Sequence, residues 1–167
     1  MKKNLLGLLI LFSVNFLHAQ KEENLYKYWM TVGSWVDRDL TANFNYSFSI
    51  GNNFYKVGFL SKGDSFPFEG FGSDNILIRA IDISIGRRLQ TEWFQASLFV
   101  GTSYVFGKKL LINDSIEKFN TVGLETDIQL LFRPANEVGI GIGLYGNLNF
   151  IKNYAGININ LTLGNGK

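Results

Sequence analysis

Cysteine is absent from the 167 residues, and the single histidine is His18. The first absence excludes a disulfide framework, a thiol nucleophile and a cysteine-based zinc site. The second leaves no imidazole after residue 18 to activate a serine. A long apolar run is missing too. The best candidate, Leu5 to Val14, is too short to cross a bilayer as a helix, which takes about 20 apolar residues. Met1-Lys-Lys-Asn precedes this run and Leu17-His-Ala19 follows it, which is the build of a secretory signal peptide over residues 1–19. Residues 20–167 are then the single folded domain. An excess of positive charge is also lacking. Removing Lys2 and Lys3 from the 16 basic residues leaves 14 against 14 acidic ones, so the formal +2 belongs to the leader. No basic stripe remains to follow a phosphate backbone, and nucleic acid is excluded as a partner.

What is present is alternation. Turn residues divide the remainder into eight segments in which apolar residues alternate with polar or small ones, the period of a strand. They run from Tyr26 to Val36, Thr41 to Ile50, Phe54 to Ser61, Asn75 to Gly86, Glu92 to Phe106, Phe119 to Phe132, Val138 to Ile151 and Tyr154 to Leu163. No segment carries a helical stripe. Short turns are predicted at Gly51 to Asn53, Arg87 to Thr91 and Arg133 to Asn136, and longer loops at Lys62 to Asp74 and Gly107 to Lys118. In an even-stranded meander the two sets fall at opposite ends, as in membrane barrels with short periplasmic turns and longer outer loops. Both chain ends are then expected in the periplasm.

Gly141, Gly143 and Gly146 have the spacing G-x-G-x-x-G of a dinucleotide site. That fingerprint works only where a strand turns into a helix, with an acidic residue about 20 positions later. Here a period-two segment follows, and no Asp or Glu occurs after Glu137. The glycines instead share one face of a strand with Tyr145 and Asn147. Two readings of them are open: they leave room for bulky groups across a narrow bore, with Tyr145, Trp93 and Phe99 as candidates, or they permit strong coiling of the strand.

Eight alternating antiparallel strands point to a closed barrel, because closure removes unpaired edges. A soluble carrier would put its apolar face inward, and a membrane barrel puts it outward. The composition of the polar face decides between them. A watery surface is normally about a quarter to a third charged. These strands offer instead Asn43, Asn45, Ser47, Ser49, Ser84, Ser97, Gln129, Asn158, Asn160 and Thr162, which is a filling. The other face is continuously apolar, as in Ile81, Ile83 and Ile85, and its aromatics gather towards strand ends. The predicted fold class is all-β, an eight-stranded antiparallel up-and-down transmembrane β-barrel.

With its leader ending His18-Ala19, its eight alternating segments and a last strand Ile157-Asn-Ile-Asn-Leu-Thr-Leu163, the chain resembles the small eight-stranded outer-membrane β-barrel proteins of Gram-negative bacteria. The likeness is one of pattern over the whole chain. The end Gly164-Asn-Gly-Lys167 departs from the aromatic residue on which such proteins commonly finish. The resemblance implies residence in the cell outer membrane and contact with its lipid, including lipopolysaccharide. Enzymes in this broad class, such as lipid A deacylases, phospholipases and omptin proteases, use a histidine, which this domain lacks. The expectation is a non-enzymatic protein, without cofactor or metal, whose role is structural or one of surface interaction. The alternative is an accessory subunit of a larger secretion or transport complex, bound to another outer-membrane protein.

Few residues stand out as candidate sites. Lys56, Asp82, Glu125 and Asp127 place charge on the polar face well inside strands, and pairing across the lumen is the plain reading. Glu125 and Asp127, two apart on one face, are near enough to share a proton or metal, but a filled barrel admits no substrate. Arg79 has the parity of Ile81 and Ile83. Either a bulge turns it inward or it lies high enough to reach lipid phosphates at the outer interface, which is the reading preferred here. The loop acids Asp64, Glu69, Asp74, Asp114 and Glu117 match no calcium loop and read as solvated charge. Phe66, Phe68 and Phe71 form a candidate partner-binding loop, which equally suits dipping into the outer leaflet or folding over the barrel mouth.

Overall fold

Alternating segments can satisfy their backbone only by pairing with one another, and here they do so without leaving an edge. In the computed structural model, which describes residues 27–36, 40–63, 76–111, 115–135 and 137–165, no helix occurs among the described residues. The strands are β1 (Tyr28–Val36), β2 (Leu40–Ile50), β3 (Asn53–Gly63), β4 (Ile76–Gln90), β5 (Phe94–Leu110), β6 (Ile116–Ala135), β7 (Val138–Asn149) and β8 (Tyr154–Asn165). Each pairs antiparallel with the next, and β1 pairs with β8, from Tyr28 opposite Asn165 to Ser34 opposite Ile159, closing the barrel. Residues 1–19 and the loop holding Phe66, Phe68 and Phe71 lie outside the described residues, as do Asp64, Glu69, Asp74 and Asp114.

The β2–β3, β4–β5 and β6–β7 connections and the described chain ends share one rim, called the turn end below. The β3–β4 and β5–β6 connections lie at the other rim, the loop end. Two turns lie later in the chain than the sequence implies. Arg87 to Gln90 continue β4, so that the turn falls after it, and Arg133 to Ala135 continue β6 through an irregularity between Phe132 and Ala135. The predicted loop from Gly107 to Lys118 shrinks likewise, because β5 runs to Leu110 and β6 begins at Ile116. In each case paired backbone extends past the point where the apolar alternation fades, since hydrogen bonding in a hairpin needs no apolar side chain. At the β2–β3 turn Gly51 has a φ of 57°, a conformation that glycine adopts without a Cβ penalty.

Register shows the two walls directly. One rung runs Tyr46, Val57, Ile83, Thr102, Leu124, Leu148 across β2 to β7, and every side chain on it is outward and exposed. The next rung along the same strands runs Ser47, Lys56, Ser84, Gly101, Glu125, Asn147 and faces the bore. The outward wall carries exposed Ile, Leu, Val, Phe and Tyr on all eight strands, including Val32, Phe44, Ile83, Val100, Leu124, Ile142 and Leu161. A water-soluble monomer rarely exposes one apolar patch above a few hundred Å², and here the patch encircles the molecule. Stacked pairs sit on this wall near both rims: Phe48 with Tyr55 and Trp93 with Phe132 at the turn end, and Tyr104 with Phe106 towards the loop end. Trp93 is therefore not a filler of the bore. It sits in the β4–β5 turn, 60% exposed, because the strand starts only at Phe94.

Candidate functional site

The bore is solid in three tiers, and the ladder dictates what fills each. In the middle tier Lys56 and Glu125 lie on the same rung, three strands apart, with only Ser84 and Gly101 between them. A lysine side chain extended over those two small residues reaches across. Its Nζ donates to Glu125 Oε1 at 2.6 Å and to Asp127 Oδ2 at 2.8 Å, and lies 3.4 Å from Asp82 Oδ2. All four residues are buried, with Lys56 1% exposed, and Gln129 donates a further 2.8 Å hydrogen bond to Asp127. The four charged residues singled out in the sequence thus stand together, with three carboxylates around one ammonium. The Nζ also lies 5.6 Å from the Phe99 ring centre, which adds a favourable cation–π contact.

Two positions along the same inward face, Phe54, Gly86, Phe99, Asp127, Tyr145 and Gly156 share a rung in which large and small alternate. A Cβ on Gly86 would strike the Phe99 ring, and one on Gly156 would strike Tyr145. The same sterics answer the question of the spaced glycines. A Cβ on Gly143 would collide with Asn158 and Asn160, so that glycine makes room for side chains; on Gly141 it would meet the backbone of Leu130, so that glycine permits close approach of β6. A Cβ on Gly146 would meet only ordinary contacts, with Ala155 and Tyr154 at 4.0 Å, so that glycine serves neither purpose. The groups these glycines admit are thus Asn158 and Asn160 on the adjacent β8 and the backbone of β6, not Tyr145, Trp93 or Phe99 across the bore.

Sequence reasoning missed the tiers above and below. Towards the loop end the bore turns apolar, with Leu60, Ile78, Ala80 and Val105 packed with Tyr145 and Tyr154. Towards the turn end Arg88 lies over the Trp29 ring, 2.8 Å from its centre, with Phe54 at 5.0 Å, and its Nε donates to Ser97 at 3.0 Å. Arg133, Gln95 and Leu131 are buried at the same end, and Thr31 hydrogen-bonds Thr162 there. Arg88 and Arg133 fall within the turns that the sequence predicts. The signal that places them inside is parity: Arg88 continues Asp82, Ser84, Gly86, and Arg133 continues Asp127, Gln129, Leu131.

Arg79 keeps the outward parity. The β3–β4 and β4–β5 registers run unbroken past it, pairing it with Ser61 and Phe106, so no bulge turns it inward. It stands near the loop end of the wall and is half-buried. Two voids in the bore are described, and both are small. One of about 20 Å³ adjoins Lys56, Asp82, Glu125 and Asn147, and one of about 10 Å³ lies among Trp29, Gln95 and Arg133. Each holds about one water, and neither admits a substrate.

A closed eight-strand antiparallel meander of this kind has counterparts among solved structures. The fold is that of the small outer-membrane β-barrels. The N-terminal β-barrel domain of Pseudomonas aeruginosa OprF superposes with a TM-score of 0.64 over 83% of this chain and 96% of that one, at 7% identity. The Yersinia pestis attachment invasion locus protein Ail gives 0.57 over 84% and 99%, at 12% identity. Neisserial surface protein A gives 0.58 over 85% and 96%, also at 12% identity. No protein-family model and no curated protein matches the sequence. At such identities the likeness concerns the barrel alone.

Proposed function

We propose that this protein is a non-enzymatic integral barrel of the outer membrane, whose work is structural and interactive: it occupies the bilayer and presents its loop end to the exterior. The observation carrying this reading is the predominantly apolar wall on all eight strands around a bore filled by Lys56, Glu125, Asp127, Gln129 and their neighbours. Water is the wrong solvent for that wall and lipid the right one. A non-enzymatic role is supported by the lack of any histidine after His18, and by voids in the bore too small for a substrate. The same plugging opposes conduction.

Fractionation of the native host tests the proposal. The protein is expected in outer-membrane fractions, retained through a carbonate wash, with electrophoretic mobility that changes on boiling as the barrel unfolds. Single-channel recording of the purified barrel is expected to show no steady conductance. Recovery in the soluble periplasmic fraction would contradict the membrane reading. A stoichiometric second barrel co-purifying in mild detergent would assign it instead to a larger assembly.

A further inference from the structure

The turn end of the bore holds more buried donors than acceptors. Arg88 is 4% exposed and Trp29 3%, and the guanidinium carbon lies 2.8 Å from the centre of the Trp29 ring. Stacking this close keeps the donors of the two side chains near one another. Arg88 commits one of them, its Nε, to Ser97 at 3.0 Å. Its Nη1 and Nη2, and the Nε1 of Trp29, are buried without an acceptor. Donors stripped of water in this way point to a bound water or ion. Charge decides between the two. Among the described residues the buried carboxylates are Asp82, Glu125 and Asp127, all gathered round Lys56 in the middle tier, and none of them pairs with Arg88. Arg133 brings a second buried guanidinium to the same end, near enough for its charge to oppose that of Arg88. Gln129 offers a buried and unpartnered Oε1 on the rung of Ser97, but that acceptor is neutral. The faces of Trp29 and Phe54 offset only part of the cost of burying the cation. A water would satisfy the donors and leave the charge. An anion answers both.

The space beside this pair sets the size of the anion. The void of about 10 Å³ is lined by Trp29, Gln95, Arg133, Glu137 and Thr162 among others, and has room for about one water-sized sphere. That excludes a phosphate, a sulfate or a carboxylate with its carbon chain. Glu137 is exposed, so water at the rim screens its charge. We infer that the turn end of the bore binds one small monovalent anion of the halide class, held by the guanidinium of Arg88 and the indole N–H of Trp29, with Arg133 supplying the second positive charge. A spherical acceptor takes N–H donors from several directions, and the fixed fork of an arginine with the edge of an indole supplies them. The site lies at the turn end, so its ligand enters from that rim without passing the middle tier. The inference goes beyond the structural role proposed above, and rests on the filling of the bore and not on which solvent meets the outer wall.

The test uses the full chain refolded in chloride-free detergent micelles and unfolded with urea at constant ionic strength, sodium gluconate being exchanged for sodium chloride or sodium bromide. Gluconate is too large for the void. Stability is expected to rise with either halide, in proportion to the logarithm of its concentration once the site fills. Arg88→Gln is expected to weaken the apparent halide affinity about tenfold or more, the worth of a hydrogen bond to a charged group. Trp29→Phe keeps a ring and removes the N–H, and is expected to weaken it about fivefold, the scale of an ordinary hydrogen bond. Arg87→Gln makes the same charge change one residue away on the outward parity, where Arg87 donates to Asn52 O, and is expected to leave the affinity unchanged. Stability indifferent to the choice of anion would overturn the site, as would a halide response that Arg87→Gln loses as fully as Arg88→Gln. Wild-type crystals grown in sodium bromide need no variant to fold. An anomalous peak within hydrogen-bonding distance of Arg88 and of Trp29 Nε1 supports the site, and an ordered water only at that place refutes it. A bromide peak in a barrel that fractionates as soluble would sink the membrane reading and leave the site standing.

Discussion

Lys56→Met is expected to destabilise the folded barrel by about 3 to 5 kcal/mol, the range for removing one partner of a buried ion pair. The loss is large because three carboxylates share that one ammonium: Glu125 at 2.6 Å, Asp127 at 2.8 Å and Asp82 at 3.4 Å. Without it, Gln129 still donates to Asp127 but leaves Glu125 unaided. The same imbalance makes the opposite change mild. Glu125→Gln leaves Lys56 two carboxylate partners and lowers the surplus of negative charge, so its cost is expected to stay near 1 kcal/mol, the ordinary scale of a single hydrogen bond. Combining Lys56→Met with Glu125→Gln, Asp127→Asn and Asp82→Asn is expected to recover most of the stability, since the middle tier then carries no unpaired charge. Urea unfolding of the barrel in lipid vesicles measures all three. Equal costs for Lys56→Met and Glu125→Gln would show that the cluster is not held together by its single cation.

Ile83→Arg is the second large effect. Ile83 lies near the middle of β4 on the outward wall, 64% exposed, between Val57 and Thr102. An arginine facing lipid at mid-depth costs about 2 to 4 kcal/mol, falling towards the interfaces. On a water-facing surface the same substitution would stay within about 0.5 kcal/mol. Unfolding in vesicles again supplies the number. A matched Ile83→Leu is expected to be nearly silent, because lipid packs against any aliphatic side chain.

Most of the barrel was legible because its signal is local. A strand with one wall in lipid and one in a plugged bore must alternate at every residue, so strand number, order and facing follow from parity alone. The four charged residues of the middle tier were legible for the same reason, since charge on the small, polar face has nowhere to go but the bore. What parity could not supply was the length of the strands beyond the alternating region. Arg87-Arg88 and Arg133-Pro134 resemble turn chemistry, and the hydrogen bonds that carry β4 and β6 past them leave no mark in side-chain pattern. The apolar packing of Leu60, Ile78, Ala80 and Val105 was hidden because it depends on which inward residues meet across the bore, which is set by shear and not by sequence position. Trp93 was misplaced by a single strand boundary, and such boundaries are the least determined part of any pattern.

The absence of cysteine lets the inside-out arrangement be measured without a background. Single cysteines at Ile81, Ile83, Val100 and Leu124, each carrying a nitroxide, report by electron paramagnetic resonance whether oxygen dissolved in lipid or a water-soluble nickel chelate reaches the site. With lipid against the outward wall, all four labels in vesicles collide with oxygen and are shielded from the chelate. Collision with the chelate at the mid-wall positions Ile83 and Leu124 would mean that water covers this wall, and the membrane-spanning arrangement would be refuted.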